Sequence, residues 1–199
     1  MNYRIEYLPR ERWKGEIVPI GYTTDDYFDV SVTQSPAGFA VSFEKKPFPA
    51  PVTHSPEEYD FPDRLYADWW DGAEAYGVVL DGRLAAAIEL WYEEWSNRLR
   101  VTELWVSEPL RGQGVGHALM DIAREHAIRD GCRAVMLETQ SCNTNAIGFY
   151  LHEGFTLIGF DACAYHNNDL ARREVRMEMG WFNPAVSGRK PSSPRKEQA

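Results

Sequence analysis

Three glycines and an arginine in Arg111-Gly112-Gln113-Gly114-Val115-Gly116 stand at the start of a stretch with helical periodicity. A helix start leaves its first backbone N–H groups without intrahelical partners, and the helix dipole adds positive potential there. Glycine lets an anion approach that backbone closely, and Arg111 adds a fixed positive charge. The chemistry on offer is a cradle for a pyrophosphate. A Walker loop ends in Gly-Lys-Ser/Thr, but Gly116-His117-Ala118 follows here, which argues against a nucleoside triphosphatase. A dinucleotide fingerprint needs Gly-x-Gly-x-x-Gly. Gly112-x-Gly114-x-Gly116 has a different spacing, and no acidic strand end follows at the required distance. On the loop alone, a glycine-rich turn with no ligand remains the alternative.

The elements that must position this loop are legible from residue 75 onward. Ala75-Tyr76-Gly77-Val78-Val79-Leu80 reads as a strand, Asp81-Gly82 as a two-residue hairpin turn, and Leu84 to Tyr92 as the returning strand. A further strand runs from Arg100 to Val106, and the three are expected to pair antiparallel. Val115, Ala118, Leu119, Ile122, Ala123 and His126 recur at helical spacing, so 115–129 is an amphipathic helix ended by Gly131. Ala134 to Thr139 is apolar on both faces apart from its end, as a buried parallel strand requires. Asn145 to Glu153 reads as a shorter helix, and 155–165 and 174–181 as two last strands.

The first 60 residues are harder to read. Val30, Val32 and Phe39 to Phe43 suggest short strands, and Ser55-Pro56 suggests the start of a short helix over 56–71. Lys46-Pro47-Phe48-Pro49-Ala50-Pro51 reads as an extended loop. The expectation is one domain over 1–182, with a variable part at 1–70 and a core at 76–181, then a disordered tail from 183 to 199. The order of elements implies an α/β, mixed α+β architecture: a central, mostly antiparallel sheet with helices on its faces.

Charge narrows the partners. Of the net −9, the tail contributes +3, from Arg189, Lys190, Arg195 and Lys196 against Glu197, so the body carries −12. Such a surface repels nucleic acid and favours cationic small molecules or basic peptides, unless it serves solubility alone. Three cysteines, Cys132, Cys142 and Cys163, make neither a disulfide framework nor a zinc spacing, and no metal is expected. Neither a signal peptide nor an 18-residue apolar run is present, so the expected setting is cytoplasmic and away from membranes.

A second block, Asn143-x-x-Ala146-x-x-Phe149-Tyr150-x-x-x-Gly154-Phe155, follows the loop. Together with Arg111-x-x-Gly114-x-Gly116 after Leu104-Trp105-Val106, it resembles motifs A and B of the GNAT superfamily of N-acetyltransferases over about residues 76–181. The resemblance implies a GNAT-type fold with a splayed parallel strand pair, and acetyl-CoA as cosubstrate. It implies that Leu104, Trp105 and Val106 pair with the pantetheine arm. The backbone of Arg111, Gly112, Gln113, Gly114, Val115 and Gly116 would hold the pyrophosphate. Asn143 and Ala146 would contact the cofactor arm, and Tyr150 would protonate the departing thiolate. An amine acceptor arrives mostly protonated, with a pKa of about 10. A base must therefore act, and Glu103 and Glu138 are the candidates. Glu89, Glu93 and Glu94 read as a solvated edge, with a grip on a cationic substrate as the weaker alternative, and Cys142 as an ordinary thiol.

Leu137-Glu138-Thr139-Gln140, the Asn143 block and Gly159-Phe160-Asp161 are similar to the streptothricin acetyltransferase branch of that superfamily. That likeness implies acetylation of a primary amine on a cationic small molecule, with Glu138 and Asp161 as ammonium partners. Acetylation of proteins or peptides, and non-catalytic acyl-CoA binding, are the alternatives. Homodimers occur among relatives, but no feature of this sequence indicates one.

Overall fold

The computed structural model describes residues 3–58 and 62–187. The chain divides into two compact units. The first contains the described residues of 1–20, 56–137 and 181–192, and the second those of 21–55 and 138–180.

The first unit is built on strands β1 (Glu6–Tyr7), β4 (Glu74–Leu80), β5 (Arg83–Glu93), β6 (Arg98–Val106) and the start of β7 (Ala134–Gln140). β1–β4, β4–β5 and β5–β6 pair antiparallel, and β6–β7 pair parallel. The sheet is thus mixed and mostly antiparallel, as the sequence predicts. Asp81 and Gly82 close the β4–β5 hairpin with φ of 50° and 77°. Positive φ at both positions is what a type I′ turn demands. Gly77 is required for a different reason: a Cβ there would stand 2.2 Å from the Ala86 carbonyl oxygen.

Residues Ala85 to Leu90 of β5 are all buried, so both faces of the sheet are covered. Helix α2 (Val115–Arg129) packs on β5 and β6, burying Val115, Leu119, Met120, Ala123 and Ala127. Full burial of Val115, Leu119 and Met120 stabilises the fold by about 1.5–3 kcal/mol each. The helix has the predicted bounds and is followed by Gly131 at φ 67°. A second cluster joins Leu8, Trp13 of α1 (Arg10–Trp13), Val18, Leu65, Tyr66, Ala75 and Ala87. There the N-terminal segment and residues 62–73 lace together: Gly15 and Val18 donate to Leu65 and Asp63 carbonyls, and the Leu65 amide donates to Glu16. Among the described residues of 56–71 no long helix forms. Only Pro56–Glu58 makes a 3₁₀ turn, and from 62 onward this segment is held by backbone pairing instead of helical hydrogen bonds.

The second unit contains a long antiparallel hairpin, β2 (Tyr22–Ser35) with β3 (Gly38–His54), and α3 (Thr144–His152). It also holds β8 (Thr156–Asp161), paired antiparallel with β9 (Arg176–Phe182), and the short α4 (Asp169–Arg172). The Pro-rich run 46–51, expected as a loop, lies within β3. Only its first two residues pair, Lys46 with Tyr27 and Pro47 with Asp26; residues 48–51 have no ladder partner in the irregularity opposite Asp25, where proline costs no ladder bond. The hairpin base is anchored by the Phe28 amide on the Ser141 carbonyl and by Asp26, which accepts from the Thr144 hydroxyl. Lys45, bridged to Asp26 at 2.7 Å, together with Thr144 holds the Asp26 carboxyl below its ordinary value.

Ordered structure also passes residue 182. Asn183 is buried, its amide donating to the Cys132 carbonyl at 2.9 Å, and Pro184–Ser187 forms the single turn α5. The rest of the expected tail, 188–199, lies outside the described residues. Among the described residues no helix is long and apolar enough to cross a membrane.

Candidate acyl-transfer site

In the first unit, the parallel ladder between β6 and β7 consists of Arg98–Ala134, Leu99–Val135 and Arg100–Met136. It stops there, although β6 continues to Val106. A bulge on β6, opposite Glu89, lies where the ladder stops. Bulges bend a strand and increase its twist, which turns one strand away from its neighbour. Leu104, Trp105 and Val106 stay paired with β5 on one side, and among the described residues no pair with β7 follows Arg100–Met136 on the other.

The Gly-rich loop begins where β6 ends. Glu108–Leu110 makes a 3₁₀ turn, and Gly112 and Gly114 take φ of 71° and 80°, with Gly114 as the N-cap of α2. A Cβ at Gly112 would meet nothing within 4 Å, so open space faces this backbone. Among the described residues, no amide from Gly112 to Gly116 donates to a backbone carbonyl. Five donors at a helix start beside open space suit a pyrophosphate. Arg111 is held within the loop. Its amide donates to the Glu108 carbonyl, and its Nε donates to the Val106 carbonyl at 3.0 Å, tying the loop to the strand end. The Gln113 side chain likewise donates inward, to the Pro109 carbonyl at 2.6 Å.

Glu103 is 9% exposed and stands across the β5–β6 pair from Glu89. Glu89 is fully buried, accepting from the Tyr66 amide and, at 2.7 Å, from the Thr102 hydroxyl. The solvated-edge expectation therefore fails for Glu89. It fails also for Glu93, which is buried and paired with Arg98 at 2.5 Å and Arg100 at 3.5 Å, while Glu94 is exposed. The signal for Glu89 was its place in Ala85-Ala86-Ala87-Ile88-Glu89-Leu90, a lone charge in a strand apolar on both faces.

Burial pushes the Glu89 carboxyl up, and the Tyr66 amide and Thr102 hydroxyl offset this only in part. A folded-state pKa above the unfolded value gives stability that is full below the unfolded value, about 4.3. That stability is lost as pH rises through the folded one. Glu89→Gln keeps the shape, since its amide oxygen accepts from Tyr66 and its NH₂ reaches Thr102. Its stability relative to wild type is therefore expected to rise between pH 4 and pH 8, by on the order of 1 kcal/mol. Thermal melts across that range measure it, and a difference independent of pH would contradict the assignment.

In the second unit, Asn143 caps α3, its side-chain oxygen accepting from the Ala146 amide at 3.2 Å. Tyr150 is buried on the same helix, with its ring 5.5 Å from Phe149 and 6.1 Å from Phe155. Glu138 is exposed, bridged to Arg176 at 2.8 Å, and accepts from the Tyr165 hydroxyl at 3.3 Å. Asp161 accepts from the Cys163 amide at 2.9 Å. Cys142 is buried among partners that the sequence did not reveal: its Sγ is 3.2 Å from the Tyr22 hydroxyl and 3.7 Å from His54 Nε2. Tyr22 stacks on His54 and donates to Gln140 Oε1 at 2.5 Å. Sequence distance, 142 against 22 and 54, hid this group. Among the described residues no group of three or more His, Cys, Asp or Glu is arranged to hold a metal ion.

Known proteins place these features in context. The acetyltransferase (GNAT) family is matched over residues 36–155, more than half of the chain. The streptothricin acetyltransferase of Escherichia coli is 32% identical over 115 residues, covering 58% of this chain and 66% of that protein. The streptothricin acetyltransferase of Streptomyces lavendulae is 32% identical over 152 residues, covering 72% of this chain and 76% of that protein. A crystal structure of nourseothricin acetyltransferase is similar with a TM-score of 0.69 at 27% identity, over 92% of this chain and all of the other. A Bacillus anthracis structure solved with acetyl coenzyme A has the same fold, with a TM-score of 0.68 at 22% identity.

Proposed function

We propose, from the fact that this chain belongs to the GNAT family of acetyltransferases, that it moves the acetyl group of acetyl-CoA onto a primary amine of a cationic small molecule. A streptothricin-type antibiotic is the proposed acceptor. The observation that carries the reading is the strand end Leu104–Val106, which lies beyond the last β6–β7 pair among the described residues and runs into five amides at Gly112–Gly116 that give no bond to a backbone carbonyl there. The two named relatives supply the acceptor class.

In this mechanism the β6 edge pairs with the pantetheine arm, and the loop amides take the pyrophosphate. Arg111 acts by holding the loop to Val106, with its outer guanidinium nitrogens left to face phosphate. Asn143 and Ala146, joined at the α3 cap, meet the cofactor arm. Glu103 takes the proton that an ammonium of pKa about 10 must lose before its nitrogen can attack. Glu138 is the weaker candidate for that base because Arg176 and Tyr165 already engage it. It serves instead, with Asp161, to attract the acceptor's other cationic groups, in competition with Arg176. The nitrogen bonds to the thioester carbonyl carbon, backbone N–H groups near Val106 stabilise the oxyanion, and the C–S bond breaks. Tyr150 gives its proton to the sulfur.

The test is turnover of acetyl-CoA, followed as free thiol, against a panel holding streptothricin, simple polyamines and basic peptides. Acetylated streptothricin with no peptide product is the expected result. Peptide acetylation would move the acceptor class. Tight coenzyme A binding with no turnover of any amine would leave only a binding module.

A further inference from the structure

Thr102 is the odd residue of the β5–β6 pair. The register runs from Glu89–Glu103 to Leu90–Val101, so Thr102 has no residue opposite it and is the bulged residue itself. A bulged residue is left out of the ladder, and the strand bends there. Its side chain supplies the missing hold. The Thr102 hydroxyl donates to Glu89 Oε1 at 2.7 Å and lies 3.4 Å from the Glu89 carbonyl oxygen. The last β6–β7 pair among the described residues, Arg100–Met136, precedes this point, and the Leu104–Val106 edge follows it.

Glu89 is itself anchored from behind. Its Oε2 accepts from the Tyr66 amide. Tyr66 has a φ of 58°, a left-handed conformation that a bulky residue keeps only where its surroundings impose it. They do so here. The Tyr66 side chain is fully buried, and its hydroxyl donates to the Leu8 carbonyl and accepts from the Ala75 amide at 3.0 Å. The Arg10 guanidinium lies 5.4 Å from the ring centroid. One chain of hydrogen bonds thus runs from the N-terminal segment through Tyr66 and Glu89 to the bulge. Stability alone does not call for a carboxylate in the buried run Ala85 to Leu90, because an apolar side chain of similar volume avoids its desolvation. What the carboxylate adds is two linked acceptors, which join two donors on separate segments.

We propose that Glu89 is a positioning residue for acyl transfer: by tying the bulged Thr102 to the fixed Tyr66, it sets the divergence of β6 from β7 and so the place of the Leu104–Val106 edge. This rests on the cofactor site proposed above. Glu89 acts through Thr102 and the strand, with no part in proton transfer.

Coenzyme A titration and acetyl-transfer kinetics on the full chain test it. Thr102→Val keeps the shape and removes the hydroxyl. It is expected to weaken coenzyme A binding about ten-fold and to raise the KM for acetyl-CoA to match, with kcat changed far less, since a strand edge grips the arm alike in ground and transition states. Thr102→Ser restores the hydroxyl and should return both to near wild type. Glu89→Gln keeps both hydrogen bonds and should bind normally, whereas Glu89→Met should bind as weakly as Thr102→Val. Where Glu89→Met does not fold, Thr102→Val decides, because it leaves Glu89 bonded to Tyr66. Ile88→Val is the control for stability: Ile88 is fully buried and faces the other side of β5, so its variant should melt earlier and bind normally.

Normal affinity in Thr102→Val would overturn the proposal, as would a Thr102→Ser no better than Thr102→Val. Equal loss in Ile88→Val would reduce the effect to stability, and loss in Glu89→Gln would give Glu89 a role through its charge; either also overturns it. A crystal structure of Thr102→Val gives a readout free of the activity. The β6–β7 ladder is expected to extend past Arg100–Met136, and an unchanged bulge would sink the idea. A wild type that bound no coenzyme A would end the cofactor reading, and that ladder would still decide whether Glu89 sets the divergence.

Discussion

Gly114→Trp is expected to abolish coenzyme A binding, a loss of at least 100-fold by titration calorimetry, with only a modest fall in melting temperature. Gly114 is the N-cap of α2 at φ 80°, a conformation that costs an L-residue about 1–2 kcal/mol. That strain is small beside the whole fold, and a Cβ there meets only the Tyr3 hydroxyl, at 3.9 Å. The large effect is local. An indole placed among the amides of Gly112 to Gly116 occupies the approach that a pyrophosphate needs, and those amides have no backbone carbonyl to fall back on. Loss of binding together with global unfolding would be uninformative at this position. Gly114→Ala is therefore the companion, expected to keep the fold and weaken binding by about ten-fold through strain and crowding. Normal affinity in both variants would remove the loop from the cofactor site.

The parts legible in the sequence are those with local causes. Asp81-Gly82, the 3.6-residue period of α2, Gly131 and the buried run of β7 each state their structure within a few residues, and the structure follows them. The glycine spacing of 112–116 likewise announces the left-handed backbone found at Gly112 and Gly114. What stayed hidden depends on residues far apart in the chain. Thr24 and Asp26 anchor the β2–β3 arm through Thr144, and Tyr22 and His54 gather around Cys142. No window of sequence contains both halves of either group. The prolines of 46–51 were half legible: Lys46 and Pro47 pair with β2, whereas 48–51 have no ladder partner, and only the partner strand decides where pairing stops. The charge of Arg111 is plain in the sequence, but the reach of its guanidinium to the Val106 carbonyl, five residues back, is not.

Tyr150→Phe is expected to lower kcat by about 100-fold while coenzyme A affinity stays within about three-fold of wild type. The substitution keeps the ring that packs beside Phe149 and Phe155 and removes only the hydroxyl, so packing is preserved and proton donation is not. A thiol with an ordinary pKa of about 8.5 leaves as an unstable thiolate at neutral pH unless a proton meets it. Above that pH the thiolate is stable without help. The defect should therefore narrow as the assay moves from pH 7 to pH 9.5, whereas a packing role would give a defect independent of pH. Turnover equal to wild type at pH 7 would take Tyr150 out of the mechanism. A flat defect with weakened cofactor binding would make it a structural residue of α3. Glu103→Gln separates the two proton steps: loss of the base leaves the acceptor protonated, so that defect should also shrink with rising pH, but toward the amine pKa of about 10 instead of the thiol value. Two variants narrowing at different pH values would assign the proton taken from nitrogen and the proton given to sulfur to Glu103 and Tyr150 respectively.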